Sequence, residues 1–230
     1  MGNYVNTGNA GFAAAVRDTY VDKTELISFI NSTLGTKRKL TCVSRPRRFG
    51  KSYAAQMLCA YYDKSCDSGS LFAGYKIAKD CSYKEHLNRH DVIYLDITWF
   101  ISITENIRDT VSNLQAKVVE ELRELCTDVK QEQTLPETIA RIHEATGKRF
   151  IIIIDEWDAL FREARDDHRL HEQYIQLLRG LFKSSGHTDK MIEAAYMTGI
   201  LPIKKYGTQS AMTDFREYTM IQPEPLEEYM

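Results

Sequence analysis

Residues 40–52 of the chain read LTCVSRPRRFGKS. The apolar run at 40–43 predicts a strand, the following loop closes with Gly50-Lys51-Ser52, and a helical pattern begins at Ser52. A strand, a loop ending in Gly-Lys-Ser and a helix form the context of a phosphate-binding loop. The unpaired backbone N–H groups at the start of a helix, together with the helix dipole, bind an anion. The sequence therefore predicts a phosphate site between this strand and this helix.

The loop residues have separate predicted roles. Gly50 lets the backbone approach the phosphates closely, Lys51 reaches the β- and γ-phosphates, and the Ser52 hydroxyl ligates Mg²⁺. We expect the whole run to contact a nucleotide. The expected contacts are Arg45, Pro46, Arg47, Arg48, Phe49, Gly50, Lys51, Ser52 and Tyr53.

The loop departs from the pattern G-x-x-x-x-G-K-[S/T] at its first position, where this chain has Arg45. Pro46 also removes one backbone N–H donor from the expected cradle. Arg47 and Arg48 can compensate, because guanidinium groups match phosphate oxygens. The alternative interpretation is a basic helix cap on a solvated loop. That alternative leaves three arginines and one lysine repelling one another around a helix start, so we favour an anion site.

A second motif follows the continuous apolar run at 150–154, which predicts a strand buried on both faces in the middle of the sheet. Asp155 and Glu156 come next, at the carboxyl edge of the sheet where ligands of α/β proteins bind. Asp155 is expected to hold Mg²⁺ through water, and Glu156 to orient and deprotonate an attacking water. The alternative is a helix cap after a strand. Together with the phosphate loop, the pair predicts a nucleotide site.

Three further polar residues lie at or shortly after the ends of predicted strands. Thr198 could contact the γ-phosphate or the lytic water, and a turn hydroxyl is an equally good interpretation. Asp158 belongs either to the site or to the cap of a helix that continues to residue 163. Asp96, at the end of another apolar run, is expected to be structural.

Apolar runs and helical periodicities alternate along the chain, which predicts an α/β fold with a parallel sheet and helices on its faces. Connections of this length suit right-handed crossovers. Residues 65–89 are expected to form a loop with short helical pieces. The predicted strands are 40–43, 92–97, 150–154, 192–197 and 218–221, and the predicted helices are 22–30, 52–63, 105–126, 134–147 and 168–183. Capping boxes predict two of the helix starts, one formed by Asp22 and Glu25 and the other by Thr134 and Glu137.

Composition limits the class of protein. The net charge of -2 excludes a globally basic coat for nucleic acid. No apolar run approaches the roughly 18 residues that a membrane-spanning helix needs, and the first residues lack a signal-peptide pattern. Five cysteines without a C-x-x-C pair indicate reduced thiols in the cytosol. We therefore expect a cytoplasmic protein without a membrane segment.

Four segments carry a resemblance to the AAA-ATPase-like family of bacterial proteins: YVDKTELI at 20–27, SRPRRFGKS at 44–52, IIIIDEWD at 151–158 and TGILPIKKYGTQSA at 198–211. Their order and spacing are similar over about residues 10–228. The resemblance implies a P-loop NTPase of the ASCE type, a three-layer α/β sandwich with a mostly parallel central sheet. It also implies ATP as the nucleotide, with Mg²⁺.

The resemblance assigns the same roles to Lys51, Ser52, Asp155 and Glu156 as the motifs do. It also implies that the segment from Tyr20 to Lys23 lies near the adenine or ribose. An absent first loop glycine is usual in this family.

Family members usually continue into a helical lid and a nuclease-like domain of the PD-(D/E)XK type, whereas this sequence stops at 226–230, where the lid would begin. We therefore expect residues 1–230 to form a single P-loop ATPase-like domain without these parts. Either the gene is truncated, or a protein partner or a second copy supplies the lid. Arg179, Lys204 and Lys205 are candidates for charges that act across such a contact, although solvated surface charges are the simpler interpretation.

These observations predict an ATPase that switches conformation with its nucleotide state. A nucleotide-binding regulatory module with negligible turnover is the alternative, motivated by Pro46 and the absent lid. A small-molecule kinase is disfavoured, because such enzymes do not need the second carboxylate, Glu156. DNA association would rest only on the domains fused to relatives, and the net charge of -2 gives it no support.

Overall fold

The computed structural model describes residues 1–17, 20–127, 134–183, 186, 188–203 and 214–226. Its strands are β1 (Leu40–Ser44), β2 (Asp91–Asp96), β3 (Phe150–Asp155), β4 (Ile192–Gly199) and β5 (Arg216–Thr219). They form a five-stranded sheet in the order β2-β3-β4-β1-β5, and every neighbouring pair is parallel. This arrangement confirms the predicted α/β class with a parallel sheet.

Helices cover both faces of the sheet. The described helices are α1 (Ala10–Ala15), α2 (Glu25–Asn31), α3 (Lys51–Tyr62), α4 (Gly69–Phe72), α5 (Tyr83–His86), α6 (Ile97–Ser102), α7 (Thr110–Leu125), α8 (Leu135–Thr146), α9 (Ala159–Glu163), α10 (His168–Phe182) and α11 (Thr188–Met191). The apolar side chains of α1–α5 share one core, and those of α6–α11 share the core on the other face. The result is the predicted three-layer sandwich.

The strand β3 shows why a continuous apolar run was an informative signal. All its residues are buried, with Ile151 and Ile153 in one core and Phe150, Ile152 and Ile154 in the other. Full burial of each such side chain contributes roughly 1.5–3 kcal/mol. β3 is an interior strand as predicted, but the middle position belongs to β4.

Two strands, β2 and β5, end earlier than predicted because polar side chains turn the chain. β2 ends at Asp96, whose carboxylate accepts hydrogen bonds from the backbone N–H groups of Thr98 and Trp99 and starts α6. Asp96 is thus structural, as expected. β5 ends at Thr219, whose hydroxyl accepts from the backbone N–H groups of residues 221 and 222.

The predicted capping box at the start of α2 does not form. The Asp22 carboxylate instead accepts from the backbone N–H and hydroxyl of Thr24 and, across the surface, from the backbone N–H of Lys76. The Thr24 hydroxyl accepts from the backbone N–H of Ile77. The prediction of a local cap was therefore wrong, because a tertiary contact uses these groups.

The other capping box does form. Thr134 and Glu137 exchange side-chain-to-backbone hydrogen bonds at the start of α8, which ends before Gly147 at a φ of 72°. α7 begins at Thr110 rather than near residue 105, because a 3-10 turn at Ile107–Asp109 precedes it. The region 65–89 contains α4, a 3-10 turn at Lys76–Lys79 and α5, in agreement with the predicted short helical pieces.

The N-terminal residues extend the sheet beyond β2, which the sequence did not predict. The backbone N–H of Asn6 donates to the Val92 carbonyl, and that of Tyr94 donates to the Tyr4 carbonyl. The Glu121 carboxylate on α7 accepts from three consecutive backbone N–H groups, at residues 3–5. These bonds cover an edge that would otherwise expose unpaired backbone groups.

In the described ranges no helix has the length and hydropathy needed to cross a bilayer. All five cysteines carry free thiols. Burial raises the pKa of the Cys42 and Cys59 thiols well above the ordinary value, so both stay protonated and pack as small apolar groups.

Candidate functional site

The parallel register brings the predicted site residues to one edge of the sheet. Ser44 at the end of β1 pairs with Gly199 of β4, and Ile154 of β3 pairs with Met197 of β4. The next residues of β1 and β3 therefore leave the sheet side by side, on either side of β4. This is the carboxyl edge, where open α/β sheets bind their ligands.

The loop after β1 has the backbone that a close approach of phosphate requires. Arg48 and Gly50 both have left-handed backbone angles, with φ of 72° and 75°. A Cβ built on Gly50 would have room, because the nearest atom, the Lys23 ammonium nitrogen, is 3.9 Å away. The left-handed backbone angle is therefore what favours glycine at this position. α3 begins at Lys51, so the first N–H groups of a twelve-residue helix face the loop.

The Lys51 side chain is buried at the base of this loop. Its Nζ donates to the Pro46 carbonyl at 3.1 Å and lies 3.7 Å from Glu156 Oε1. The lysine of the β1 motif and the glutamate of the β3 motif are therefore in direct contact. The sequence separates them by more than a hundred positions, and the fold joins them.

Asp155 is 2% exposed and sits beneath the loop. Its carboxylate accepts hydrogen bonds from the Thr198 hydroxyl and from the backbone N–H of Glu156, and the Ser52 hydroxyl lies beside it. Burial raises the pKa of Asp155, and the two hydroxyl contacts partly oppose that rise. A hydroxyl and a carboxylate in contact are hard oxygen donors of the kind that Mg²⁺ prefers, so Ser52 and Asp155 fit that ion.

Glu156 has a φ of 53°, a left-handed angle that is uncommon for a residue with a side chain. Its backbone N–H donates to Asp155 and to the Thr198 hydroxyl, which fixes this conformation. Strained backbone of this kind clusters at functional sites. The Glu156 side chain pairs with Lys51 and with Arg162, whose Nη2 is 2.5 Å from Oε2. Burial raises the pKa of Glu156, and the two cations partly oppose that rise.

A cleft of about 460 Å³ opens between the loop and α9. Four cationic side chains and two carboxylates line it, which leaves an excess of two positive charges and favours an anionic ligand. The lining residues are Arg47, Arg48, Gly50, Lys51, Ser52, Tyr53, Thr98, Glu156, Arg162 and Glu163. Seven of these were predicted from the sequence, and Thr98, Arg162 and Glu163 were not.

Arg45 lies outside that lining and has an unusual environment. The residue is 7% exposed, its backbone N–H donates to the Gly199 carbonyl, and its Nη1 is 3.0 Å from the Met220 sulfur. Within the described part of the chain, its Nε and Nη2 are buried without a hydrogen-bond partner. Burial lowers the pKa of Lys23, and the nearby Arg45 lowers it further. Two cations therefore lie close to each other beside the loop.

Two of the remaining predicted contacts, Tyr20 and Phe49, are not among the residues that line the cleft. The Tyr20 hydroxyl donates to the Met57 sulfur at 3.2 Å, and the Tyr20 ring packs edge-on against Phe12 and Tyr75. Burial raises the pKa of Tyr20 to about 12, so its phenol remains protonated. Phe49 is 40% exposed.

Asp158 is the N-terminal flanking residue of α9, but it does not cap that helix with its side chain. Its fully buried carboxylate accepts from the backbone N–H groups of Ile200 and Leu201 and from Arg162 Nε at 3.1 Å. The capping alternative was therefore wrong, because the turn after β4 uses the carboxylate. Arg179 lies on α10. Lys204 and Lys205 lie outside the described residues.

The parallel sheet, the Gly-Lys-Ser loop after β1 and the Asp-Glu pair after β3 define a protein of the P-loop NTPase class. The model of the AAA-ATPase-like family, described as predicted AAA-ATPase, matches residues 14–208 of the chain. The chain therefore belongs to the AAA-ATPase-like family. Membership indicates nucleotide binding.

A relative from Azotobacter chroococcum mcd 1, described as an uncharacterized protein in the vnfD 5' region, is 23% identical over 179 residues. The match covers 77% of this chain and 34% of the relative, so the chain spans about a third of that protein's length.

Proposed function

We propose that the chain binds ATP with Mg²⁺, hydrolyses it and uses the change of nucleotide state as a conformational switch. The observation that carries the proposal is the contact between Lys51 of the phosphate loop and Glu156 after β3, in one cleft of net positive charge. Family membership supports ATP as the nucleotide.

The proposed mechanism assigns each group a task. The backbone N–H groups at the start of α3 and the Lys51 ammonium bind the β- and γ-phosphates. Glu156 orients the attacking water and accepts its proton. Arg47 and Arg48 line the cleft and stabilise charge on the phosphoryl oxygens as the bond to the leaving group breaks.

Ser52 and Asp155 are the proposed magnesium ligands, Asp155 through water. When bound, Mg²⁺ would neutralise part of the triphosphate charge. Thr198 keeps the Asp155 carboxylate oriented through its hydroxyl, and the same hydroxyl accepts from the backbone N–H of Glu156.

A path for the switch is available in the contacts of β4. Thr198 joins both acidic residues to β4, and Asp158 joins α9 to the turn after β4 through Ile200 and Leu201. A shift of Glu156 on nucleotide binding would therefore reach that turn. We extend the proposal to a cytoplasmic location, to a single P-loop ATPase-like domain in residues 1–230 and to a contact of this domain with a protein partner or a second copy.

Phosphate release from MgATP by the purified chain tests this function. Lys51→Ala is expected to abolish both tight binding and turnover, whereas Glu156→Gln is expected to bind ATP and lose turnover. Lys84→Ala and Glu120→Gln, at exposed positions on other surfaces, are matched controls and should behave as wild type. Turnover in Glu156→Gln equal to that of wild type would contradict the assigned base.

A regulatory module with negligible turnover is the second candidate. The pairing of Glu156 with both Lys51 and Arg162 favours it, because a carboxylate held by two cations is not free to accept a proton. Stoichiometric MgATP binding without phosphate release, over many hours and at high protein concentration, would favour this candidate over the ATPase.

A further inference from the structure

Arg162 enters the cleft from α9 and was not identified by any sequence motif. Its side chain is 15% exposed, and its guanidinium bridges two carboxylates, with Nη2 2.5 Å from Glu156 and Nε 3.1 Å from Asp158. It lines the same cleft as Lys51 and Ser52. The mechanism above gives this residue no task.

Asp158 anchors one side of the guanidinium. Its carboxylate is fully buried and is itself fixed by the backbone N–H groups of Ile200 and Leu201, at 3.2 and 3.0 Å. Removing the cation would leave a buried carboxylate without its charge partner, so the Nε contact is costly to break. Arg162 lines the cleft, and its Nη2, which contacts Glu156, is the part of the side chain that is able to change partner.

The contact with Glu156 conflicts with hydrolysis. Glu156 pairs with both Arg162 and Lys51, so neither the carboxylate nor the Lys51 ammonium is available for its task. A terminal phosphate carries more negative charge than a carboxylate and presents several oxygens to a guanidinium fork. A γ-phosphate close to Lys51 therefore competes with Glu156 for the Nη groups.

We propose that Arg162 exchanges partners: it pairs with Glu156 when the cleft holds no triphosphate and with the γ-phosphate when ATP is bound. The inference rests on the proposed function, because it requires ATP in this cleft. Arg162 is then an arginine contact to the terminal phosphate that this chain supplies itself. The exchange also releases Glu156 only when a γ-phosphate is present, so base and substrate become available together.

A double-mutant comparison of nucleotide affinity tests the exchange. MgATP and MgADP binding is measured by titration calorimetry for wild type, Arg162→Gln, Glu156→Gln and the double variant. Gln keeps a donor for Asp158 and removes the fork. In wild type, Arg162→Gln should weaken MgATP binding by about threefold, because the guanidinium must first leave Glu156. The Glu156→Gln variant has already freed the guanidinium, so Arg162→Gln should weaken MgATP binding by about thirtyfold in that background, the size of a lost hydrogen bond to a charged group. MgADP binding should change by less than about twofold in both backgrounds.

Equal losses in the two backgrounds, or equal losses for MgATP and MgADP, would overturn the exchange, because a supporting role of Arg162 predicts both. Arg169→Gln, at an exposed position on α10, is the matched control and should bind both nucleotides as wild type does. If Arg162→Gln does not fold, Arg162→Lys replaces it. Lysine keeps a charge for Asp158 without the fork, and its expected loss for MgATP is about tenfold in the Glu156→Gln background.

The two proposals fail in different ways. A wild-type chain that does not bind MgATP, or a Lys51→Ala chain that binds it equally well, contradicts the proposed function and the exchange with it. Tight wild-type binding that depends on Lys51, together with equal Arg162→Gln losses in both backgrounds, contradicts the exchange alone.

Discussion

Replacing Arg45 by methionine should stabilise the nucleotide-free protein and weaken its binding of nucleotide. Arg45 is 7% exposed, and within the described ranges its Nε and Nη2 have no hydrogen-bond partner. A buried donor left unpaired costs about 1–3 kcal/mol. Methionine has a similar length, no donors to satisfy and a flexible thioether that fills irregular space. Allowing for imperfect packing, we expect a net gain of about 2 kcal/mol in the free energy of unfolding.

Thermal unfolding with and without MgATP measures both effects. For a chain of this size, a gain of about 2 kcal/mol corresponds to a rise in Tm of about 4–8 °C without nucleotide. The upward shift that MgATP adds should be smaller than in wild type, because weaker binding gives less stabilisation at the same ligand concentration. Arg38→Met, at an exposed position, should leave both values nearly unchanged. A lower Tm for nucleotide-free Arg45→Met would refute the reasoning, since it would mean that the guanidinium has a stabilising partner.

Three further predictions concern stability. Gly50→Ala places a side chain at a φ of 75° and should cost about 1 kcal/mol by denaturant unfolding, whereas Gly74→Ala meets no atom within 4 Å and should cost less. Asp96→Ala removes the cap of α6 and should lower the free energy of unfolding by about 1 kcal/mol. Asp109 flanks α7 without a side-chain cap bond, so Asp109→Ala should change the free energy of unfolding little in the same assay, and equal changes for the two variants would refute the cap. Burial, and then the neighbouring His86, lower the pKa of His90 to about 4. Because this folded-state pKa is below the unfolded value of 6.5, the contribution of neutral His90 to the free energy of unfolding is complete above about pH 6.5 and is lost as the pH falls toward 4. His90→Gln should therefore flatten the pH dependence of stability in that window, and an unchanged slope would contradict the assignment.

The sequence predicted the parts of the site that depend on local pattern. The phosphate loop needs a strand, Gly50-Lys51-Ser52 and a helix in succession, and all of these are neighbours in the chain. The acidic pair depends on β3, whose continuous apolar run identifies a strand buried on both faces. Parallel strands share a carboxyl edge, so two correct strands were enough to place Lys51 near Glu156.

The sequence did not predict the parts that depend on tertiary contact. Arg162 is six residues after Glu156, a spacing that has no meaning until the chain leaves β3 at a left-handed residue and enters α9. Asp22 resembles a helix cap until the backbone N–H of Lys76 reaches its carboxylate. Arg45 likewise contacts a residue far along the chain, since its Nη1 lies 3.0 Å from the Met220 sulfur.

The central claim is that one cleft, formed by the loop after β1 and the acidic pair after β3, binds MgATP. Equilibrium binding of labelled MgATP to wild type and to Lys51→Ala tests it most directly. We predict one saturable site per chain in wild type that is lost in Lys51→Ala, with Lys84→Ala binding as wild type. Binding that is unaffected by Lys51→Ala, or absent from a folded wild-type chain, would contradict the claim.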